Sequence, residues 1–557
     1  MDIKEQLSQA LDKVVDDFKQ EGLISQEQKY KFNVDIPRNR QFGDFSTNLS
    51  FLMAKDLKKA PKEVASIIMD KFNRELAPAI GKIEIAPSGY LNFFANQGFV
   101  HDVIKKIETQ DEAYGHTSAG NGLKVQIEFV SANPTGPLNV VSARAASVGD
   151  AMGNFMKAAG YDAFKEFYVN DAGVQARLFG ESFRVRYLQL FGFENEIPEN
   201  GYHGEYLIEL ALLAKNNSYF AEYDDPQSIP VESFSKVGLE WMLQKQKEDL
   251  SQFGVHFDCW FRETSLHADN KPLKVLEILK QRGHVFESEG AVWFRSTDFG
   301  DEKDRVLVKT DGNTTYFLND IAYHHDKFER GFQKVIDIWG PDHHGHILRM
   351  KAAMKALGHP EDSLEILIVQ QVNLLRKGEK VKMSKRAGQI ETMEDLVKEV
   401  GVDAARFFFL LRGSDSHLDF DLEVAKYQTN DNPVFYVQYA HARVCSVFAK
   451  AAEKGVPILS TSQVDLNRLA LVEEAEIVKI LANYPDVVAD AARAYEPHRV
   501  VRYLMDLATR LHQYYNQFQI IGDDVELSKS RLVLLKIVQI VLQNGLNSLG
   551  VSQPERM

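Results

Sequence analysis

The chain has 557 residues, more than one hydrophobic core ordinarily serves, so roughly three to four domains are expected from length alone. Hydrophobic residues make up 44% and charged residues 26%, which excludes a disordered, collagen-like or membrane-embedded composition. The net charge of −14 excludes a basic coat, although an acidic protein binds RNA where its positive charge is concentrated. Cys259 and Cys445 lie far apart and form neither a disulfide nor a metal pattern, as in a reducing compartment. The opening MDIKEQLSQALDKVVDDF reads as a charged amphipathic helix without the apolar core of a signal peptide. No run of about 18 apolar residues occurs, so no membrane span is expected and the location is read as cytoplasmic.

In chain order, residues 1 to about 110 read as a small α+β unit. A helix over 1–20 is followed by a loop at Pro37–Arg40, a helix from Ser46 to Phe72, and strands near Ile83–Ile85 and Tyr90–Phe94. From Leu123 the texture changes. Lys124–Val130 reads as a buried strand, Asn133–Pro137 as a Pro/Gly turn, and a helix begins near Ser142. Strand, tight turn and helix open a nucleotide-binding parallel sheet and aim the helix N-terminus at phosphate. Strands at Lys165–Val169 and Val335–Ile338 extend this α/β domain over 111–390, with a helical insertion at about 180–285. Beyond Glu391 strand signals fade, and 391–557 reads as an all-α domain with a loop at Pro457–Gln463.

Four stretches carry chemistry. Arg376–Arg386 holds six basic residues in eleven. Lys382, Met383, Ser384 and Lys385 lie there between Gly378 and Gly388, on a segment able to close on a triphosphate as pyrophosphate departs. A solvated basic loop is the plain alternative. Ser131–Arg144 contains the turn Thr135-Gly136-Pro137 and ends in Asn139-Val140-Val141-Ser142-Ala143-Arg144. Trp339–His346 follows a strand and contains Asp342-His343-His344-Gly345-His346, which read alone suits either a manganese phosphoesterase or a structural turn. Tyr316 and Asp320 are four apart and share a face if helical, as a carboxylate and an aromatic floor for a guanidinium would. A half-buried core tyrosine is the alternative for Tyr316.

Lys382–Arg386 resembles the KMSK signature of class I aminoacyl-tRNA synthetases, and Ser131–Arg144 resembles the arginyl enzymes' version of the HIGH signature. The family pattern ends in His-x-Gly-His where this chain has Asn139-Val140-Val141-Ser142. The expectation is that Asn139 and Ser142, both neutral donors, replace the histidines and that the site admits Val141. The similarity to bacterial-type arginyl-tRNA synthetases covers essentially the whole chain. Further matching stretches are Gln41–Asn48, Gly89–Phe93, Phe167–Gly173, Tyr436–Arg443, Leu549–Val551 and Glu555–Met557.

The resemblance implies a Rossmann-type α/β catalytic domain, an α+β N-terminal domain at the tRNA elbow, and an all-α anticodon-binding bundle. It implies ligation of L-arginine to tRNA(Arg) through arginyl-adenylate, with arginine activated only once tRNA is bound. Asn139, Ser142, Lys382, Ser384 and Lys385 would be catalytic, and Thr135, Gly136, Pro137, Val141, Gly345, His346 and Met383 would bind ATP. Arginine would meet Glu128, Ser131, Asn133, Tyr316, Asp320 and Asp342. The tRNA would meet Tyr90, Asn92, Tyr436, Tyr439 and Arg443, the last three on one helix face suited to unstacked bases. Core packing explains Tyr439 equally simply, and a place in a strand core is the alternative for Tyr90 and Asn92. Mg²⁺ would arrive with ATP, no protein-held metal is expected, and the chain would act as a monomer. Two other readings stay open: a synthetase-like protein that binds tRNA or arginine without ligase activity, and a metal phosphoesterase built on Asp342-His343-His344.

Overall fold

The computed structural model describes residues 3–37, 39–381 and 392–557. The chain divides into two compact units. One comprises Met1–Tyr114, Arg443–Tyr484 and Thr509–Val541, and the other Gly115–Ala442, Pro485–Ala508 and Leu542–Met557.

The second unit is built on five parallel strands: β1 (Lys124–Glu128), β2 (Asp162–Val169), β3 (Cys259–Arg262), β4 (Lys334–Trp339) and β5 (Leu364–Ile368). Their spatial order is β5-β4-β1-β2-β3. The chain works outward from β1 to β3, then returns to the other side of β1. That reversal opens a crevice at the carboxyl ends of β1 and β4, where an open parallel sheet takes its ligands. Val125, Gln126, Ile127 and Glu128 are all buried, the pattern of a strand covered on both faces. Helix α1 (Val140–Ala158) follows, with fourteen buried residues rich in Ala, Gly and Ser. A Cβ on Gly149 would lie 2.2 Å from the Phe129 ring, so only glycine permits this approach of helix to strand end.

Between β2 and β3, helices Gly173–Gln189, Tyr206–Asn216 and Val231–Gln252 enclose Phe179, Phe183, Phe220 and Phe234. The region expected to be a helical insertion is mostly so, but β3 lies inside it. Four residues between helices give too short an apolar run to separate from helix by periodicity. An antiparallel sheet of Val285–Ser288, Ala291–Phe294 and Arg305–Val308 precedes helix Tyr316–Glu329. The expectation of no strands beyond Glu391 is also corrected, since Leu418–Asp421 pairs in parallel with Val372–Arg376. Val372–Arg376 in turn forms a hairpin with Glu379–Lys380. Lys377 (φ 54°) and Gly378 (φ 81°) make its turn, both in the left-handed region that two-residue hairpins require.

The first unit opens with helix Ile3–Gln20 and an antiparallel sheet ordered Val34–Asp35, Phe45–Thr47, Leu91–Ala95, Ile80–Ile85. The single helix expected over 46–72 is instead a strand (Phe45–Thr47) and two helices, Leu49–Leu57 and Pro61–Lys71. Lys58, with φ at 52°, ends the first helix, and Pro61 takes the opening position that proline favours in the second. Within this unit Tyr114 Oη donates to Leu481 O (2.9 Å) and Lys536 pairs with Glu108 (2.9 Å).

Among the described residues one helix, Val525–Leu549, is long and apolar enough to cross a membrane, with mean hydropathy 1.4 over its 18-residue window. A search for uninterrupted apolar runs passes over it because of its interspersed polar residues. Most of that window (72%) is buried inside the protein, as in a core helix.

Candidate active site

The chain leaves β1 through Val130 and Ser131, both left-handed at φ 68° and 39°. A branched residue in that region stores strain of about 1–3 kcal/mol and needs neighbours to hold it. Ser131 supplies them: its Oγ donates to Glu128 Oε1 (2.8 Å) and accepts from Tyr168 N (3.1 Å). The following turn is pinned by the helical insertion. Gln246 Nε2 donates to Asn133 O (3.1 Å) and Gly136 O (2.9 Å), Tyr206 Oη donates to Thr135 O (2.7 Å), and Asn133 Nδ2 donates to Gln175 Oε1. Thr135 is buried, and Gly136 and Pro137 are half-buried. Asn139 caps α1: its Oδ1 accepts from Ser142 N (2.9 Å) and Ser142 Oγ (3.2 Å). The two residues standing where the family pattern has histidines therefore face each other, and Val141 sits half-buried in the first helical turn. The free N–H groups of that turn and the helix dipole favour an anion there.

Across the crevice, β4 ends at Trp339 and runs into a tight turn, Pro341–His346. Asp342, His343, His344 and Gly345 are exposed; His346 is half-buried, and burial with Arg349 nearby lowers its pKa. Among the described residues no group of three or more His, Cys, Asp or Glu side chains is arranged to hold a metal ion.

Beneath the crevice lies a buried charge network. Lys327 Nζ reaches Glu128 Oε2 (2.6 Å) and Asp337 Oδ1 (2.7 Å), while Asp337 Oδ2 bonds His324 Nε2 (2.7 Å). His324 Nδ1 meets Asp320 O at 2.7 Å, so both ring nitrogens face oxygen atoms. Desolvation would raise the Asp337 carboxyl, but Lys327 and His324 outweigh it and bring it down to about 2.

Two carboxyls beside this balanced network are poorly compensated. Asp320 is half-buried by area, yet desolvation is the largest influence on it. His324 opposes that effect, Glu263 and Glu128 add to it, and the carboxyl rises to about 7. Burial also raises Glu263, against the nearby His267 and hydrogen bonds from Asn319 and Tyr168. Tyr316 opens the helix that carries Asp320 and is 59% exposed. A slot with two uncompensated carboxyls and an aromatic edge is electrostatically suited to a cation. Sequence reading missed Glu263, which directly follows β3; recognising that strand was the signal that would have found it.

Lys382, Met383, Ser384 and Lys385 lie outside the described residues. On the downstream side, Thr392 bridges Asn139, and Met393 N donates to Leu138 O (2.8 Å), so the chain re-emerges against the start of α1. In the first unit Tyr90 is 42% exposed with its ring 4.7 Å from Phe51, while Asn92 is buried in its strand. Tyr436, Tyr439 and Arg443 lie along helix Pro433–Glu453. Tyr439 stacks on Phe435, and Arg443 bonds His512 (3.0 Å) and covers the Tyr515 ring (4.6 Å).

Three family models match the chain: arginyl tRNA synthetase N terminal domain over 1–95, the catalytic domain of tRNA synthetases class I (R) over 103–409, and DALR anticodon binding domain over 437–557. Arginine–tRNA ligase 1 of Halalkalibacterium halodurans is 46% identical over 561 residues, covering 100% of both chains. Arginine–tRNA ligase of Geobacillus thermodenitrificans is 45% identical over 100% of this chain and 98% of its own. The solved arginyl-tRNA synthetase of Thermus thermophilus superposes with a TM-score of 0.74 at 21% identity, each chain covered in full, which speaks to fold. The parallel sheet with its strand-end crevice is thus the catalytic architecture of class I aminoacyl-tRNA synthetases. Within that class, the chain belongs to the arginyl-tRNA synthetase family.

Proposed function

We infer that the chain is an ATP-dependent ligase that joins L-arginine to tRNA(Arg). The observation that carries this is the acidic slot of Asp320 and Glu263, set beside Glu128 at the strand-end crevice and next to a capped helix N-terminus. Arginine's guanidinium compensates those carboxyls, and Tyr316, Ser131, Asn133 and Asp342 complete its surroundings. ATP lies along Thr135–Pro137, the α1 N-terminus with Asn139, Val141 and Ser142, and Gly345–His346. Lys382, Met383, Ser384 and Lys385 close on its phosphates, and Mg²⁺ is carried by the nucleotide.

In the first step a carboxylate oxygen of arginine attacks the α-phosphorus, and the bond to the bridging oxygen breaks to release pyrophosphate. In the second, a hydroxyl of the terminal tRNA ribose attacks the arginyl carbonyl and AMP leaves. Neither step needs a covalent bond to the protein, so positioning and charge stabilisation do the catalysis. The parts divide as 1–110 at the tRNA elbow, with Tyr90 and Asn92 as candidates; 111–390 for catalysis; and 391–557 for the anticodon, with Tyr436, Tyr439 and Arg443. The enzyme works as a cytoplasmic monomer.

The test is ATP–pyrophosphate exchange. Exchange is expected to require both arginine and tRNA, and to fall at least 100-fold in Lys382→Ala. Absence of arginine-dependent exchange while tRNA binding persists would replace this reading with a non-catalytic binding protein. The phosphoesterase reading has no support in the family matches.

A further inference from the structure

Arg144 lies two residues beyond Ser142 on α1 and is wholly buried. A lone buried cation is costly, and proteins ordinarily pair one with a carboxylate. Here the acceptors among the described residues are main-chain carbonyls, divided between two loops. Nη1 donates to Gln370 O (2.8 Å) and more weakly to Gln371 O (3.5 Å), while Nη2 donates to Gly413 O (2.9 Å) and Ser416 O (2.8 Å). Nε has no partner among the described residues, and burial lowers the guanidinium pKa to about 10 against a helping charge from Asp415. An apolar side chain would fill this space without the desolvation cost, so the cation has a geometric task.

The two loops share a destination. Residues 370–371 lead from β5 into Val372–Arg376, residues 413–416 lead into Leu418–Asp421, and these two strands pair in parallel. One guanidinium therefore grips both entrances of the small sheet whose hairpin runs on in sequence to Lys382. Its stem grows from the helix whose first turn faces phosphate.

Resting on the ligase reading, we propose that Arg144 is a positioning residue of the reaction: its two-pronged grip fixes the register of the small sheet against α1, and turnover depends on that register. Lysine keeps the charge but has one nitrogen, which serves one loop and not the other. Methionine keeps the stem and loses both.

The experiment measures arginine- and tRNA-dependent pyrophosphate exchange for wild type, Arg144→Met and Arg144→Lys, each checked for folding by circular dichroism and melting. Arg144→Met is expected to turn over at least 30-fold more slowly, with KM for ATP and for arginine within threefold of wild type. That split marks interactions realised only in the transition state. Arg144→Lys should recover part of the turnover rate and remain at least fivefold slow. Wild-type turnover in folded Arg144→Met or in Arg144→Lys overturns the proposal, as does a loss carried by KM. If Arg144→Met does not fold, Arg144→Lys decides. A wild-type enzyme without exchange sinks the ligase reading instead.

Discussion

Asp320 shows how a single side chain ties ligand binding to pH. Its carboxyl sits at about 7, and arginine's guanidinium stays charged throughout the accessible range. The folded protein holds this proton more tightly than the unfolded chain does, so the group withdraws stability as pH rises from about 4 toward about 7. Binding follows the opposite slope. Arginine should bind more tightly as pH rises from 6 to 8, with proton release on binding, and Asp320→Asn should flatten that dependence as well as weaken affinity. Calorimetry in buffers of different ionisation heat measures both; a wild-type affinity independent of pH would remove Asp320 from the slot. At this scale the sequence was informative where residue type and local spacing suffice, as for Tyr316 and Asp320 on one helix. It was silent on Glu263, Lys327, Asp337 and His324, which act together only because separate strands and a helix meet.

At the scale of elements, α1 combines two duties. Its Ala- and Gly-rich body is packed on the sheet, and its first turn is fixed by the Asn139 cap. Removing such a cap costs about 1 kcal/mol, so Asn139→Ala should lower stability by that amount and slow exchange. Asn139→Asp keeps the cap acceptor but brings negative charge toward the triphosphate. It should retain stability and raise KM for ATP at least tenfold; denaturation and kinetics on the same preparations separate the two effects. Equal ATP affinity in Asn139→Asp would place the phosphates elsewhere. Strand, turn and helix around α1 were legible because a buried apolar run, a Pro/Gly turn and a helix succeed one another within thirty residues. Four-residue strands such as Cys259–Arg262 and Leu418–Asp421 were not, because tertiary pairing and not local pattern makes them strands.

For the molecule as a whole, texture suggested three parts in series, whereas the chain divides into two units assembled from discontinuous segments, since composition does not reveal which distant segments return. Arg406, fully buried, joins such segments in the second unit. Its Nη2 binds Asp150 Oδ2 (2.5 Å) on α1, its Nη1 binds Phe253 O (3.0 Å), and its Nε binds Leu549 O (3.0 Å). Asp150 also holds Lys165 of β2 (2.6 Å). Gly550, at φ +66°, would place a Cβ 2.3 Å from Arg406 Nη2. Gly550→Ala should therefore destabilise the protein by about 2 kcal/mol or more, through backbone strain and displacement of the guanidinium. Chemical denaturation checks this, and an unchanged midpoint would deny residue 550 that importance.

The Arg406 junction also sets an order of events during synthesis. Its acceptor at Leu549 is translated more than 140 residues after the guanidinium itself, so until the ribosome has passed that point Arg406 lacks this carbonyl. The contacts that segment 542–557 makes within its unit can form only once that segment has been made. A message cut short in that stretch yields a chain whose Arg406 has lost one of its acceptors.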